Sequence, residues 1–335
     1  MPSGRTKSPC RYSRDRWGLL TLWRLSCRMT SILGRDRDSR SSLKTVAIVT
    51  FKQWCVRCGA TAIAAVLFST PSLAELAICT TPQRPDCPSA LNAPADQEFT
   101  FSRLIFSDNQ AAIENLGDRI GYPHWQADCS ESEPHFIAAL KRLTRLDTNT
   151  DSQSISLLDD RIYDYPMLYV VEAGFASFSQ PEADTLREYL LRGGFLLVDD
   201  FHGSYQWEEF EGWMRQVFPD RSIVDIPPSH EIFNVHFAID EFIQIPGLRA
   251  LCLNPGETWE LPIMKSSAVN ESNASRQQPR WRGVMDDDGR IMAIINWNMD
   301  LGDAWEHADM EEYSALYTAT AYRLGVNYVM YGMTH

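Results

Sequence analysis

Acidic and histidine side chains are concentrated in two short stretches of the sequence. The first is Asp199-Asp200-Phe201-His202, and the second runs from Asn296 to His307. Carboxylates and imidazoles that converge in a folded protein can bind a divalent metal ion or perform acid–base chemistry. Neither stretch has a diagnostic ligand spacing such as HExxH, so the sequence assigns no metal, cofactor or reaction. With a histidine from a separate loop added, the candidate site residues are Asp199, Asp200, His202, His230, Asp300, Asp303, Glu306 and His307.

The same residues also have structural interpretations. Asp199 and Asp200 are suited to cap the helix that follows them, because carboxylates favour helix starts. The histidines can serve as structural hydrogen-bonding groups, and Asp300 and Asp303 can shape a turn. The sequence has no GxGxxG, no GxxxxGK[ST] and no GxSxG, which excludes the usual dinucleotide, P-loop and hydrolase-elbow sites. Structural and chemical roles therefore both stay open.

The elements that must position these residues are clearest between residues 164 and 218. Met167 to Glu172 is an apolar run, typical of a strand buried on both faces. Ser179 predicts a helix N-cap, with Glu182 three residues later and a pair of glycines at the helix end. Phe195 to Val198 is a second buried strand, and a second amphipathic helix follows it. This spacing predicts parallel strands joined by a right-handed crossover, at the centre of the sheet.

The rest of the chain adds shorter elements around this centre. Asn109 to Cys129 is predicted to be a loop, and residues 265–280 a surface loop. Two strands flank Asp286-Asp287-Asp288-Gly289, which predicts a β-hairpin with its glycine in the left-handed conformation. The other predicted elements are strands at 99–106, 154–158 and 222–226, a helix at 134–146 and a closing helix at 313–330.

These elements predict an α/β fold. We expect a doubly wound, mainly parallel sheet in a three-layer α/β/α sandwich, with a β-hairpin near the C-terminus. In the closing helix, Leu316, Ala319, Tyr322 (or Arg323) and Val326 are predicted to share the buried face. We expect one domain over residues 98–335, preceded by a linker at 75–97 that is rich in Pro, Thr and Asp.

Charge is distributed unevenly along the 335 residues. Residues 1–48 hold 11 basic and 3 acidic residues, net +8, whereas residues 75–335 hold 18 basic and 41 acidic residues, net −23. A folded part this acidic argues against nucleic acid and anionic membrane surfaces as partners. A solvated acidic surface that keeps the protein soluble accounts for the same charge.

The N-terminal region has the features of an export signal. Ala60 to Phe68 is apolar but too short to span a bilayer, and small residues precede the expected cleavage after Ala74. We therefore expect a signal peptide at 49–74, a mature chain beginning at Glu75, and a periplasmic or extracellular location. Residues 1–48 are arginine-rich and unlike a signal, so we expect that they are not translated in the cell. No spanning segment is predicted in the mature chain.

Cysteine usage agrees with export. Four of the eight cysteines remain after the signal, namely Cys79, Cys87, Cys129 and Cys252. In an oxidising compartment four cysteines allow three pairings, of which Cys79 with Cys87 is the local one, and free thiols are the alternative.

Several long segments resemble one bacterial family. DYPMLYVVEAG, LREYLLRGGFLLVDDFHG, FPDR, SHEIF, NMDLGDAWEH and GVNYVMYGMTH are similar to the family catalogued as domain of unknown function 4159, over about Phe99 to His335. The resemblance implies a fold similar to class I glutamine amidotransferases, which is flavodoxin-like. It implies no assigned activity. Those amidotransferases need a cysteine nucleophile on a strand-to-helix elbow, and here Asp199 and Asp200 follow the strand instead, so glutamine hydrolysis is not expected.

Three functions remain as hypotheses. The first is an exported, non-catalytic module of the cell envelope that binds a small polar ligand or other envelope proteins. The second is a metal-assisted hydrolase that acts on a carbohydrate or ester. The third is a domain kept for assembly with partner subunits, which an exposed apolar patch would favour.

Overall fold

The computed structural model describes residues 87, 97–117, 120–129, 131–253, 258 and 280–335. The predicted extension, signal and most of the linker lie outside these residues, as do residues 265–279 of the loop predicted at 265–280. The last residue of that predicted loop, Arg280, belongs to a strand instead. The described helices are α1 (Gln110–Leu116), α2 (Ser132–Leu143), α3 (Gln180–Leu191), α4 (Gly203–Val217), α5 (Leu248–Leu253), α6 (Leu301–Glu306) and α7 (Ala315–Thr334). The described strands are β1 (Ser102–Ile105), β2 (Ser107–Asp108), β3 (Gln153–Ser156), β4 (Met167–Val170), β5 (Ala176–Ser177), β6 (Phe195–Phe201), β7 (Val224–Asp225), β8 (Arg280–Met285) and β9 (Ile291–Trp297).

Seven strands form one mostly parallel sheet in the order β3-β1-β4-β6-β9-β8-β7. The first five are parallel neighbours. β8 runs antiparallel to β9, and β7 runs antiparallel to β8. β2 and β5 form a separate antiparallel pair. The predicted mixed α/β class with a mainly parallel sheet is confirmed, and the two predicted central strands pair directly, with Met167 opposite Phe195.

Successive side chains of the central strands belong to two different hydrophobic clusters. Met167 and Tyr169 of β4 join a cluster that contains side chains of α2, α6 and α7. Leu168 and Val170 join a second cluster that contains side chains of α3 and α4. Because neighbouring residues of a strand point to opposite faces, helices cover this sheet on both of them. The ends of these strands are consequently held in place by packing on both faces.

The start and end of α3 agree with the sequence. Ser179 and Glu182 form a capping box, in which the Glu182 carboxylate accepts from the Ser179 backbone N–H at 2.8 Å. Gly193 lies just after the helix with φ +106°, a conformation that favours glycine. A Cβ on the next residue, Gly194, would lie 2.4 Å from the Tyr189 ring. The two glycines therefore allow the chain to turn closely from α3 into β6.

The predicted loop from Asn109 to Cys129 is wrong in its first half, which contains α1. The Asn109 side chain caps this helix by accepting from the backbone N–H groups of Ala111 and Ala112, at 3.1 and 3.3 Å. Gly117, with φ +72°, ends it. A helix of 7 residues that buries two side chains is too short to produce a clear apolar period.

The predicted end of β6 at Val198 is also wrong, because the strand continues to Phe201. Its pairing with β9 shifts register between Val198 and Phe201, and Asp199 and Asp200 are both buried there. The apolar run alone could not predict this extension. Two adjacent carboxylates are stable in a buried strand only when partners from elsewhere in the chain satisfy them.

The predicted buried face of the closing helix is wrong in its first turns. Leu316 is 57% exposed, and Ala319 is exposed as well. From residue 324 to residue 329 every position of α7 is buried. Because this part of α7 is enclosed on all sides, its apolar residues do not form a single stripe. The spacing of the apolar residues therefore could not identify the buried face.

One disulfide joins Cys87 to Cys129, with their Cα atoms 5.4 Å apart. This pairing rules out the local pair of Cys79 with Cys87. Cys252 is disulfide-bonded as well.

Candidate functional site

The two acidic stretches lie side by side at the carboxyl edge of the sheet. Asp199 is fully buried at the end of β6, and its Oδ2 atom accepts from the backbone N–H groups of Leu301 and Gly302, at 2.8 and 3.1 Å. The Tyr169 hydroxyl also donates to Oδ2, at 3.1 Å. Burial raises the pKa of Asp199 to about 6, although these hydrogen bonds oppose the rise. Asp199 thus has a structural role. It accepts from the free backbone N–H groups at the start of α6, and not from those of α4, the helix that follows Asp199 in the sequence.

Asp200 and His202 point to a different environment. Asp200 has φ +52°, and its Oδ1 atom lies 3.2 Å from Nε2 of His202. His202 occupies the N-cap position of α4, and its backbone N–H donates to the side chain of Gln206. The Asp199 carboxylate therefore does not cap α4, because it accepts from backbone amides of α6 instead.

Asp300 begins α6. Its Oδ1 atom accepts from the backbone N–H of Asp303 at 2.7 Å, so the turn-shaping interpretation of Asp300 is correct. Asp300 is only 3% exposed. Burial raises its pKa well above the usual range, and the charges of Asp200, Asp303 and Asp128 raise it further.

Asp128 completes a group of three carboxylates and was missed by the sequence analysis. Oxygen atoms of Asp128, Asp200 and Asp300 all lie within 4.8 Å of one another. The Asp128 Oδ2 atom is screened from solvent and has no hydrogen-bond partner among the described residues. Burial, followed by the charges of Asp303, Glu306 and Asp200, raises the pKa of Asp128 well above the usual range. We call these three residues the carboxylate triad.

A second group adjoins the carboxylate triad. Ligand atoms of Asp303, Glu306 and His307 lie within 4.8 Å of one another, and Nε2 of His307 is 3.4 Å from Asp303 Oδ1. The Asp303 Oδ2 atom accepts from the Leu248 backbone N–H at 2.6 Å. Burial alone would raise the pKa of Asp303, but the hydrogen bond and charge of His307 lower it below its usual value. We call Asp303, Glu306 and His307 the Asp-Glu-His group.

The pKa values of the other two members of this group are raised, whereas that of Asp303 is lowered. Burial and the charge of Asp303 raise the pKa of Glu306 to about 7. Burial alone would lower the pKa of His307, but its hydrogen bond to Asp303 and the nearby charges of Asp303 and Glu306 raise it. Titratable groups with such shifts that lie close together are typical of functional sites.

Backbone strain is concentrated at the same edge of the sheet. The non-glycine residues with positive φ in the described part of the chain are Asp128, Glu172, Asp200 and Asn298, with values of 49° to 60°. Glu172 follows β4, Asp200 ends β6 and Asn298 follows β9, while Asp128 belongs to the triad. Such residues cost on the order of 1–3 kcal/mol each, and they cluster at ligand sites and active sites.

Tyr122 is a further residue near the two groups that the sequence analysis missed. Burial raises its pKa, and the charges of Asp128, Glu172, Glu306 and Asp303 raise it further. The carboxylates that act on Tyr122 thus come from both the triad and the Asp-Glu-His group. Tyr122 and Asp128 belong to a segment that follows the first parallel strand, so parallel topology could have indicated them.

His230 does not belong to this site, and its inclusion was wrong. Its ring packs 6.0 Å from the ring of Tyr331, whose hydroxyl accepts from the Ile291 backbone N–H at the start of β9. His230 therefore lies at the amino edge of the sheet, opposite to Asp200. Its Nδ1 atom accepts from the Ile232 backbone N–H at 3.2 Å, which is a local structural role.

Comparison with known proteins gives a family but no activity. Nowhere in the described residues is there a helix with the length and apolar character needed to cross a membrane. No curated protein matches the sequence. The model of the family described as "Domain of unknown function (DUF4159)" matches residues 117–333 of the 335, a range that includes the carboxylate triad and the Asp-Glu-His group. The chain therefore belongs to the DUF4159 family.

Proposed function

We propose that this protein is an exported module of the cell envelope that binds a divalent cation at the carboxylate triad and, through it, a small polar ligand. The observation that carries the proposal is the convergence of Asp128, Asp200 and Asp300 within 4.8 Å. The proposal of export rests on the apolar run at Ala60 to Phe68 and the small residues after it.

The strand order supports placing the ligand at this edge. β1, β3, β4, β6 and β9, taken as strands one to five along the chain, lie in the order 2-1-3-4-5. This order is the flavodoxin-like one, in which ligands bind beyond the carboxyl ends of the strands. We infer a doubly wound, three-layer sandwich of the amidotransferase-like kind, in which Asp200 and Asp300 end or follow neighbouring strands.

A divalent cation would relieve the repulsion inside the carboxylate triad. Buried carboxylates that share a small space cannot all ionise without a compensating charge, which is why the pKa values of Asp128 and Asp300 are raised. Oxygen-only ligand sets favour hard cations such as Mg²⁺, Ca²⁺ and Mn²⁺. Three carboxylates leave coordination positions for hydroxyl or carboxylate oxygens of a ligand.

The proposal is tested by metal analysis of protein purified from its native compartment, followed by titration calorimetry with Ca²⁺, Mg²⁺ and Mn²⁺. We expect Asp300→Asn to weaken cation binding by at least about 100-fold, since even changes behind the first ligands cost about 10–100-fold. Asp287→Asn is the matched control, because Asp287 is 90% exposed at the hairpin tip. Equal affinities of the two variants would refute the proposal.

The Asp-Glu-His group favours a second candidate function, a metal-assisted hydrolase acting on a carbohydrate or ester. Hydrolysis needs one group that accepts a proton from the attacking water and another that donates a proton to the leaving oxygen. Glu306, with a pKa of about 7, can accept a proton near neutral pH, and His307 can donate one. Metal-dependent release of alcohol from an ester, lost in His307→Gln, would establish this function over binding alone.

A further inference from the structure

We infer that Arg103 is a positioning residue of the cation site, which holds the segment from Trp125 to Asp128 so that the Asp128 carboxylate faces Asp200 and Asp300. The inference rests on the proposed cation site and deepens it. Arg103 lies in β1 and is 1% exposed, so it cannot touch a ligand itself. Its effect on the site passes through the backbone of the loop that carries Asp128.

The contacts of Arg103 converge on that loop. Its Nη1 atom donates to the backbone carbonyls of Ala127 at 2.5 Å and of Trp125 at 3.0 Å. Its Nε atom donates to Oε1 of Glu133 in α2, at 2.5 Å. The guanidinium group also lies 5.1 Å from the centre of the Tyr169 ring. Arg103 is thus fixed by α2 and β4, and its donors satisfy carbonyl groups on either side of Gln126.

The Asp128 side chain has little freedom once this segment is fixed. The Asp128 backbone is in the left-handed conformation, and its carbonyl accepts from the Ser132 backbone N–H at 3.1 Å. Its neighbour Cys129 is held by the disulfide to Cys87. On the other side α6 approaches closely, since a Cβ on Gly302 would lie 2.5 Å from Asp128 Oδ2. A shift of the loop would therefore move the carboxylate relative to Asp200 and Asp300.

The chemistry of the guanidinium explains why an arginine suits this position. A buried ion pair such as Arg103 with Glu133 contributes little net stability compared with apolar side chains of the same volume. An arginine can donate to several carbonyl and carboxylate oxygens in one fixed plane, which a lysine ammonium cannot do. The arrangement therefore fixes the geometry of the loop more than it stabilises the fold.

The test compares Arg103→Lys with Arg290→Lys in the full-length protein. Arg290 is a matched control at the amino edge, because it donates to the backbone carbonyls of Gly194 and Leu190, at 3.1 and 2.7 Å, and to Asp286 at 2.9 Å. Both changes keep the positive charge but remove the planar guanidinium group, which donates to several oxygen atoms at once. We expect Ca²⁺ or Mn²⁺ affinity to fall about 10- to 100-fold in Arg103→Lys and less than about 2-fold in Arg290→Lys.

A double-mutant cycle separates positioning of Asp128 from a general loss of structure. In an Asp128→Asn background, Arg103→Lys should change cation affinity by less than about 2-fold, because the carboxylate that it positions is gone. An undiminished effect in that background, or an equal loss in Arg290→Lys, would overturn the inference. If Arg103→Lys does not fold, Arg103→Met with Glu133→Gln removes both buried charges and should show the same loss of affinity.

A second readout distinguishes failure of this inference from failure of the proposed cation site. Amide hydrogen exchange at Gln126, Ala127 and Ser132, which donate to the carbonyls of Pro123, His124 and Asp128, should rise at least about 10-fold in Arg103→Lys. Arg290→Lys should leave these amides unchanged. Absence of cation binding in the wild-type protein would refute only the cation site. Unchanged exchange in Arg103→Lys would refute the positioning role.

Discussion

The carboxylate of Asp199 accepts hydrogen bonds from the backbone N–H groups of Leu301 and Gly302, which lie more than 100 positions further along the chain. This contact joins the end of β6 to the start of α6. It places Asp200 and Asp300, the next residue and the preceding residue respectively, on the two sides of one narrow gap. Asp199 therefore holds the site together without facing it.

Asp199→Ala should lower the stability of the fold strongly, while the molecules that still fold correctly keep most of their affinity for the cation. The change leaves two buried amides and the Tyr169 hydroxyl without an acceptor, and each unsatisfied group costs about 1–3 kcal/mol. We expect the free energy of unfolding to fall by about 3 kcal/mol, measured by urea denaturation. Asp300→Asn should show the reverse pattern, with a small loss of stability and a large loss of affinity. Similar losses of stability in the two variants would contradict the distinct roles.

The stability of the cation-free protein should fall as pH rises from about 4 to about 7. The pKa values of Asp199 and Glu306 are raised to about 6 and about 7, and those of Asp128 and Asp300 are also raised. Over this range the folded state binds more protons than the unfolded state, so deprotonation favours unfolding. The lowered pKa of Asp303 acts in the opposite direction, but below pH 4.

Urea midpoints measured between pH 4 and pH 8 check this prediction. Saturating Ca²⁺ or Mn²⁺ should restore stability at pH 7, by about 2.7 kcal/mol when the cation is present at 100 times its Kd. Asp200→Asn with Asp300→Asn should reduce the pH dependence, since Asp199 and Glu306 still titrate, and should abolish the cation effect. A midpoint that rises steadily with pH in the absence of cation would show that the buried carboxylates are already compensated.

Gly302→Ala should displace the Asp128 carboxylate. The added methyl group would lie 2.5 Å from Asp128 Oδ2 and 2.9 Å from the Tyr169 hydroxyl. Overpacking of this kind costs about 1–3 kcal/mol, and we expect cation affinity to fall with it. Gly212→Ala in α4 is the control, because nothing lies within 4 Å of the added atom. That control should gain about 0.5–1 kcal/mol in helix stability and keep full affinity.

Comparison of Asp200→Gly with Asp200→Ala should measure the backbone strain at the site. Both variants remove the carboxylate, but only glycine adopts φ +52° without steric cost. We expect the glycine variant to be about 1 kcal/mol more stable than the alanine variant in thermal unfolding, while neither binds the cation. Equal stability would mean that the left-handed conformation at this position carries no strain.

The parts of the fold that local sequence determines were predictable. β4 and the start of β6 are apolar runs buried on both faces, and α3 has its capping box next to the strand that precedes it. The end of β6 could not be predicted, because Asp199 is stabilised in the strand by amides of α6. A polar residue gives no local signal for a partner that lies so far along the chain.

The candidate site was predictable to the extent that parallel topology determines it. Asp200 and Asp300 end or follow neighbouring parallel strands, so their meeting at one edge follows from the order of the elements. Asp128 was missed because it lies in a segment with no regular pattern, and Arg103 positions it through backbone carbonyls that any sequence would supply. His230 was wrongly included because an irregular segment gives no information about which edge it reaches.

The residues with positive φ at this edge of the sheet differ in how readily their residue types adopt the left-handed backbone conformation. Asp128, Asp200 and Asn298 are of the types that adopt it most easily after glycine, whereas Glu172 is not. In a library of Glu172 variants sorted for folding alone, glycine and asparagine should therefore become more frequent and glutamate should decline. Sorting the same library for cation or ligand binding should keep glutamate if its carboxylate contributes. The difference between the two sorted libraries in the amino acid preferred at position 172 would then show what ligand binding requires in addition to folding.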